Sequence, residues 1–333
     1  MTVSVVMTVY NGEQYVEAML RSLLFQIRKP DEIVCVDDGS TDGSLSVLKR
    51  CAKEFRCVKV HSIQNGGSAA ARIYGFAHST GEAVCFVDCD DAVDPDYISS
   101  LHDALVEHEA DVAVGGYVRE TQDGKMLSME MMEKRADMEV SDEQAAWINT
   151  ALWNKMIRRE CIPDITLPRI RQGDDLAYWC RILPKVKRIT FVPKPMYHYI
   201  QRSGSLMTSF QEESFLLMAD EFISSAKAAE GTPAFDTVIA AFFISLCVSQ
   251  LPRWYALDQK RAKQESAVLA ARMDENLPGW RKIQAFTLGT AWRTRMKGIA
   301  LYGCGKLFLH GKFSVFEAFM CFLREKLHWK AKW

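Results

Sequence analysis

Short runs of apolar, often β-branched residues alternate with helical patterns over residues 1–118. The runs lie at residues 2–9, 31–38, 57–63, 82–88 and 110–118. Between them, apolar residues recur at helical spacing, as Tyr15, Met19 and Leu23 do after the first run. This alternation with short links predicts an α/β fold, in which a mostly parallel sheet is covered by helices on both faces.

Polar residues gather where four of the predicted strands end. The strands run directly into TVYNGE at 8–13, VDDGSTDGS at 36–44, IQNGGSAAAR at 63–72 and VDCDD at 87–91. Ligands of parallel sheets bind beyond the carboxyl ends of the strands, so we expect the four clusters to share one rim. Any one of them fits a simple turn, whereas four together exceed what turns require.

The last of these clusters places three aspartates within four positions, Asp88, Asp90 and Asp91. Carboxylates this close repel one another unless a cation lies between them. Residues i and i+2 of an extended chain point to the same side, so Asp88 and Asp90 can share Mg²⁺ or Mn²⁺, with water and substrate phosphate completing the shell. The alternative is an acidic turn in which Asp91 or Asp94 caps the next helix.

The other candidate residues are a basic residue, two carboxylates and a histidine. The chain lacks both GxxxxGK[ST] and GxGxxG, so phosphates would need a metal and isolated basic groups. Arg72 is the best placed of these groups, although it also fits a solvated helix residue. Asp174 and Asp175 open a predicted helix, where they either complement its dipole or serve as a general base. His198 fits a core histidine better than a ligand.

Taken in order, the motifs resemble those of the inverting family-2 glycosyltransferases of the GT-A fold, above all bacterial members that build capsule, exopolysaccharide or lipopolysaccharide glycans. The resemblance covers residues 2 to about 208. It rests on SVVMTVYNGEQYVEAMLRSLLFQ, DEIVCVDDGSTDGS, NGGSAAARIYG, GEAVCFVDCDDAVDPDY, WNKMIRR, GDDLAYWCRIL and YHYIQRSGS. It implies a Rossmann-like GT-A domain and sugar transfer, with inversion, from a nucleotide-diphosphate donor to a glycan or lipid-linked hydroxyl.

The resemblance also implies which residues bind the donor, expected to be a UDP-sugar carrying a hexosyl or N-acetylhexosaminyl group. The donor-binding set comprises Thr8, Val9, Tyr10, Glu13, Asp38, Asn65, Arg72, Asp88, Cys89, Asp90 and Arg202. Within this set, the first strand end and Asp38 would receive the uridine, and Asn65 and Arg72 would line the phosphate side.

The same resemblance implies a metal site and a catalytic base. Asp88 would face the ribose, and Asp90 would hold the Mn²⁺ or Mg²⁺ that bridges the diphosphate. His198, the third metal residue, lies with Arg202 in a late segment that closes over the pyrophosphate. Asp175 aligns with the catalytic base, and its neighbour Asp174 stands where the family usually has Glu.

Four segments are expected along the chain. Residues 1–208 would form the catalytic domain, with a nucleotide-sugar half at 1–118 and an acceptor and base half at 119–208, within which 119–140 reads as a loop. Residues 209–285 would form a helical extension, and 286–333 a basic amphipathic tail.

The tail has nine Lys and Arg against two Glu, interleaved with Trp, Phe and Leu. This composition describes an interfacial helix on an anionic bilayer. The alternatives are a helix packed on the catalytic domain or a homodimer contact.

Composition bears on the partners and the cellular location of the protein. A net charge of −1 gives the chain no electrostatic reason to bind nucleic acid, and ten irregularly spaced cysteines without CxxC fit a reduced cytosolic protein. No signal peptide is expected, and the longest apolar stretch, 238–248, is too short to span a bilayer. We therefore expect a cytoplasmic protein, peripheral on the inner face of the membrane.

Two competing functions remain open. A nucleotidyltransferase of similar topology would carry an N-terminal Gly-rich loop with Lys or Arg, which TVYNGEQY lacks. A catalytically silent binding protein would have lost the metal aspartates or the base, and all of these are present.

Overall fold

The computed structural model describes residues 1–131, 137–164, 173–202, 212–244 and 258–283, together with residue 307. The chain divides into two compact units. Unit 1 comprises Met1–Glu139, Ala151–Tyr178 and Lys185–Leu206, and unit 2 comprises Val140–Thr150, Trp179–Pro184 and Met207–Trp333. The predicted domain boundary at residue 208 stays a prediction. The predicted tail 286–333 lies outside the described residues, apart from residue 307, so its membrane and dimer contacts stay predictions too.

Within the described residues of unit 1, ten strands form one mixed sheet. They are β1 Val3–Val9, β2 Glu32–Asp37, β3 Val58–Ser62, β4 Ala83–Asp88, β5 Ala92–Val93, β6 Val112–Thr121, β7 Met126–Glu130, β8 Met138–Glu139, β9 Lys155–Arg158 and β10 Arg188–Gln201. Their order is β3-β2-β1-β4-β9-β6-β10-β5, with β7 beside β6 and β8 beside β10.

The first four strands in that order pair in parallel, as the sequence predicted. Strand β9 then lies antiparallel to both β4 and β6, and β6 and β10 pair in parallel. The predicted α/β class is confirmed. The sequence did not predict the antiparallel strand β9. The short segment around WNKMIRR mixes strand and helix patterns, and these gave no strand orientation.

The described part of the chain contains eight α-helices. They are α1 Val16–Leu24, α2 Ser44–Glu54, α3 Ser68–Ala77, α4 Tyr97–Glu107, α5 Asp174–Ile182, α6 Glu212–Ala229, α7 Phe235–Phe242 and α8 Gln259–Asn276. In unit 2, α6 and α7 pack through the stacked rings of Phe222 and Phe242, 3.5 Å apart, so the predicted helical region is confirmed where the structure describes it. None of the described helices is both long enough and apolar enough to cross a membrane.

Strand β1 shows why helices cover both faces of the sheet. Val5 and Met7 on one face pack into the core with residues of α1, α2 and α4. On the other face, Val6 meets α3 at Gly75, where a Cβ atom would clash with the Val6 side chain. Alternate residues of one buried strand therefore serve two helical layers.

Residues 119–140 differ from the loop that the sequence predicted. Strand β6 continues to Thr121, Gly124 turns the chain at a φ of 80°, and β7 returns antiparallel to β6. Met126, Leu127 and Met129 are all exposed. Strand β7 therefore lacks the alternation of buried apolar and exposed polar residues by which a strand is recognised in a sequence.

Glu32, at the start of β2, links the neighbouring strands at the amino-terminal edge of the sheet. Its buried carboxylate accepts hydrogen bonds from Ser4 Oγ at 2.6 Å and Thr80 Oγ1 at 3.0 Å, and pairs with Lys59. Burial raises the pKa of a carboxyl, but Lys59, Ser4 and Thr80 together lower that of Glu32 to about 2. The ionised form therefore stabilises the folded state.

Glu32→Gln is expected to lower the free energy of unfolding at pH 7 by about 2 kcal/mol. Because the pKa of Glu32 lies below the ordinary 4.5, this contribution is complete above pH 4.5 and is lost as the pH falls toward about 2. Urea unfolding of the wild type and Glu32→Gln at pH 7 and pH 3 measures this contribution. A difference that stays the same at the two pH values would contradict the assignment.

Candidate active site

The ends of β1, β2 and β4 lie side by side at the carboxyl edge of the sheet. Thr8 pairs with Asp88 across β1 and β4, and Val9 pairs with Asp37 across β1 and β2. Thr8 Oγ1 donates a hydrogen bond to Asp88 Oδ1 at 3.2 Å. The polar clusters that follow these strands therefore share one rim.

Arg72, on α3, is the centre of an ion-pair network at this rim. Its Nη1 donates to Asp174 Oδ2 at 2.9 Å and to Asp175 Oδ1 at 2.6 Å, and its Nη2 donates to Asp88 Oδ1 at 2.9 Å. Only 5% of the side chain is exposed. Burial alone would lower the pKa of Arg72, but the three carboxylates raise it. One guanidinium thus joins the end of β4 to the start of α5.

The two aspartates that begin α5 differ in their surroundings. Asp174 Oδ2 accepts from both Arg72 and the Ser68 hydroxyl, and 15% of the side chain is exposed. Asp175 accepts from Arg72 through Oδ1, and 26% is exposed. Burial raises the pKa of Asp175 above its usual range, with Arg72 opposing and Asp174 adding to the effect. A carboxylate with a raised pKa is suited to accepting a proton.

Asp88 and Asp90 are the two carboxylates predicted to bind a divalent cation. Their side chains are 28% and 45% exposed, so both reach the surface of the rim. Burial and the charge of Asp88 raise the pKa of Asp90, and the Arg202 guanidinium opposes this effect. Nowhere in the described ranges do three His, Cys, Asp or Glu side chains gather into a metal site. A cation here would therefore rely on phosphate and water for its other ligands, as Mg²⁺ commonly does.

The structure does not bring His198 together with these two aspartates. Its Nε2 lies 3.2 Å from Asp94 Oδ1, and its Nδ1 lies 3.5 Å from Glu120 Oε1. With 28% of the side chain exposed, it is not a core histidine either. A metal role for His198 stays a prediction.

Arg202, at the end of β10, contacts Asp90. Its Nη1 donates to Asp90 Oδ2 at 2.8 Å, and its Nη2 bonds the Asp90 carbonyl. The guanidinium lies over the ring of Tyr15, 4.1 Å from the centroid, a cation–π contact. The structure therefore places Arg202 beside Asp90, and its contact with a pyrophosphate stays a prediction.

On the predicted nucleoside side, Asp38 is engaged with a neighbouring loop. Its Oδ1 accepts from the Gly66 amide at 2.7 Å and its Oδ2 from the Gly67 amide at 2.9 Å, while the Asn65 side chain donates to the Asp38 carbonyl at 2.9 Å. Asp38 and Asn65 therefore lie together, as a shared site requires. Tyr10 is exposed beside them on the same rim, and direct uridine contacts stay predictions.

Three other predicted donor residues shape the loops. Glu13 Oε2 accepts from the Gly43 amide at 2.9 Å and so ties the first two polar clusters together. Cys89 is buried in the core, and burial raises the pKa of its thiol, which stays neutral. Val9 is also buried, so only its backbone can reach the rim. Contact of these residues with a donor stays a prediction.

Sequence reasoning missed three residues that support the site. Ser68 bonds Asp174, and its position four residues before Arg72 on one helix face was the available signal. The Tyr197 hydroxyl accepts the Asp88 amide at 3.3 Å. Lys155 is fully buried, and burial lowers its pKa to about 7, with Asp175 opposing. Tyr197 lies 109 residues from Asp88 along the chain, and Lys155 lies 20 residues before Asp175, so neither gave a local signal.

Comparisons with known proteins show which proteins this chain is similar to. Residues 4–160 match the family described as Glycosyl transferase family 2. Glycosyltransferase GlyG of Streptococcus pneumoniae is 31% identical over 218 residues, which are 62% of this chain and 72% of GlyG. Glycosyltransferase GlyA of the same organism is 27% identical over 230 residues, 66% of this chain, but the match spans only 33% of GlyA.

The fold has a match among solved structures. The crystal structure of S. aureus TarS 1–349 in complex with UDP-GlcNAc superposes with a TM-score of 0.71, covering 98% of this chain and 92% of that one. The two sequences are 18% identical. The predicted GT-A fold is thereby confirmed.

Proposed function

The chain belongs to glycosyl transferase family 2, and from that premise we propose that it transfers a sugar from a UDP-sugar, with inversion, to a glycan or lipid-linked hydroxyl during synthesis of a bacterial surface polysaccharide. The observation that carries the proposal is the Arg72 network. It joins Asp88, on the predicted donor side, to Asp174 and Asp175, on the predicted acceptor side. The UDP-GlcNAc bound by TarS, which shares the fold, supports the choice of donor class.

Asp88 and Asp90 would hold the cation, and Arg72 and Arg202 would face the diphosphate. When bound, Mn²⁺ or Mg²⁺ would offset the charge that builds on the leaving nucleoside diphosphate. Arg202 contacts Asp90 through Nη1, so its guanidinium is within reach of the same phosphates. Two cationic side chains at one rim provide the electrostatic stabilisation that a departing diphosphate needs.

Asp175 is the proposed base. It would remove the proton from the acceptor hydroxyl as that oxygen attacks the anomeric carbon from the face opposite the leaving group. Oδ1 is held by Arg72, which orients the carboxylate and leaves Oδ2 to take the proton. Asp174 is bonded by both Ser68 and Arg72 through one oxygen, which suits a residue that positions Arg72. A single displacement inverts the configuration without a covalent intermediate.

Calorimetric titration of UDP with and without Mn²⁺ tests the donor site. We expect the wild-type chain to bind UDP more tightly with the metal, and Asp90→Asn to lose about 100-fold in the metal-dependent affinity, because a metal ligand should cost at least as much as an outer-shell partner. The control is Asp103→Asn, the same chemical change at a side chain that is 74% exposed on α4. Equal UDP affinity in wild type and Asp90→Asn would contradict the assignment of Asp90 as a metal ligand. Tighter binding of GDP or dTDP would replace the uridine proposal alone.

Contact between residues 286–333 and an anionic membrane is proposed from the sequence of that segment alone. Such a contact would bring a lipid-linked acceptor to the rim, on the inner face of the membrane.

A further inference from the structure

The third aspartate of the turn after β4, Asp91, faces away from the rim. It is buried, and each of its two oxygens accepts a hydrogen bond from β10. Oδ2 accepts from the Tyr197 hydroxyl at 2.8 Å, and Oδ1 accepts from the Ile200 amide at 2.9 Å. Asp91 therefore belongs to the support of the turn and is not presented to a cation beside Asp88 and Asp90.

The Tyr197 hydroxyl makes two hydrogen bonds to the turn after β4. It accepts the amide of Asp88 at 3.3 Å and donates to Asp91 at 2.8 Å. One oxygen atom thus fixes the backbone at Asp88 relative to the side chain three residues later. The Asp91 amide also lies 3.4 Å from the Asp88 carbonyl, which closes the same turn. Asp90 lies between these two fixed points.

The ring that carries this hydroxyl has little freedom to move. Tyr197 is fully buried and stacks on Trp153, with the ring centroids 4.5 Å apart and the planes 20° apart. Trp153 also meets Tyr117 edge-on at 4.7 Å. Close packing of this kind fixes side-chain positions. The Tyr197 hydroxyl is therefore held in place by the stacking of its ring on Trp153.

We propose that Asp91 and Tyr197 are positioning residues that set the spacing of the Asp88 and Asp90 carboxylates for the cation of the donor nucleotide. This inference rests on the proposed function for what the two carboxylates bind. Strand β10 then holds the turn at three points: Tyr197 bonds the Asp88 amide and Asp91, Ile200 bonds Asp91, and Arg202 bonds Asp90. Residues that orient metal ligands in this way commonly affect metal affinity by 10- to 100-fold.

Tyr197→Phe tests the inference because it keeps the ring and removes only the hydroxyl. We expect a loss of about tenfold in the affinity of Mn²⁺ together with UDP, measured by calorimetry, and a changed electron paramagnetic resonance spectrum of the bound Mn²⁺. Asp91→Asn is expected to show the same loss. Because the two side chains share the Tyr197–Asp91 hydrogen bond, the loss in the double variant should be smaller than the sum of the two single losses.

The matched control is Tyr97→Phe. It removes an equally buried hydroxyl from a neighbouring ring, whose centroid lies 6.0 Å from that of Tyr197 and whose hydrogen bond goes to the Trp153 carbonyl and not to the turn. We expect it to lower the melting temperature but to leave the Mn²⁺–UDP affinity and the spectrum unchanged.

Three results would overturn the inference alone while wild-type binding persists: unchanged affinity in Tyr197→Phe and Asp91→Asn, losses that add in the double variant, or an equal loss in Tyr97→Phe. Wild-type protein that shows no metal-dependent UDP binding would overturn the proposed function, and this inference with it.

Discussion

Asp175→Asn is expected to slow sugar transfer by about 10³-fold, since removal of a general base costs 10²- to 10⁴-fold. The change is nearly isosteric, so the hydrogen bond from Arg72 to Oδ1 can persist while the group that accepts the proton is lost. The affinity for UDP with Mn²⁺ should change far less than the rate, because Asp175 is joined to Asp88 through Arg72 and acts at the acceptor. The measurement is the rate of UDP release from the donor and acceptor that a screen identifies.

Asp174→Asn is the matched control for this prediction. It makes the same change one residue away, at the carboxylate bonded by Ser68 and Arg72. We expect a loss of about tenfold, in line with a misplaced supporting group. A larger loss in Asp174→Asn than in Asp175→Asn would reverse the assignment of the base.

Arg72→Gln is expected to lower the free energy of unfolding by about 3 kcal/mol, the cost of breaking a buried ion pair by removing one partner. The change leaves Asp88, Asp174 and Asp175 without the guanidinium that all three contact. Arg72→Lys should recover little of the loss, because a single ammonium cannot present the fork that spans the three carboxylates. Urea unfolding of the wild type, Arg72→Gln and Arg72→Lys at pH 7 measures these free energies.

Arg21→Gln supplies the comparison for an ordinary surface pair. Arg21 pairs with Glu17 one turn earlier on α1, and both side chains are exposed to solvent. The expected loss is small, because solvent screens an exposed ion pair. If Arg72→Gln cost no more than Arg21→Gln, the network would be a loose surface feature and not a buried junction.

The sequence predicted the first half of the sheet because its signals are local. In β1, β2 and β4 every residue or nearly every residue is buried, and such strands read as continuous apolar runs. The polar residues that follow them were visible for the same reason. Their meeting at one rim follows from parallel pairing, which the alternation of strand and helix predicts.

The missing parts of the prediction depend on distant contacts. Tyr197 and Asp91 are 106 residues apart in the chain and are joined by a single hydroxyl. Glu13 and Asp38 were predicted to contact a nucleotide, which stays a prediction, and nothing in the sequence indicated that their carboxylates also accept backbone amides of other loops. A sequence shows which side chains can bond, but the fold decides which partner each one meets.

The ion pairs of Arg72 also make two events at the rim thermodynamically linked. One guanidinium bonds both Asp88 and Asp175. Any ligand that offsets the negative charge of Asp88 therefore changes the proton affinity of Asp175. By reciprocity, proton uptake at Asp175 alters the affinity at Asp88 by the same factor. The two halves of the site therefore communicate through one side chain.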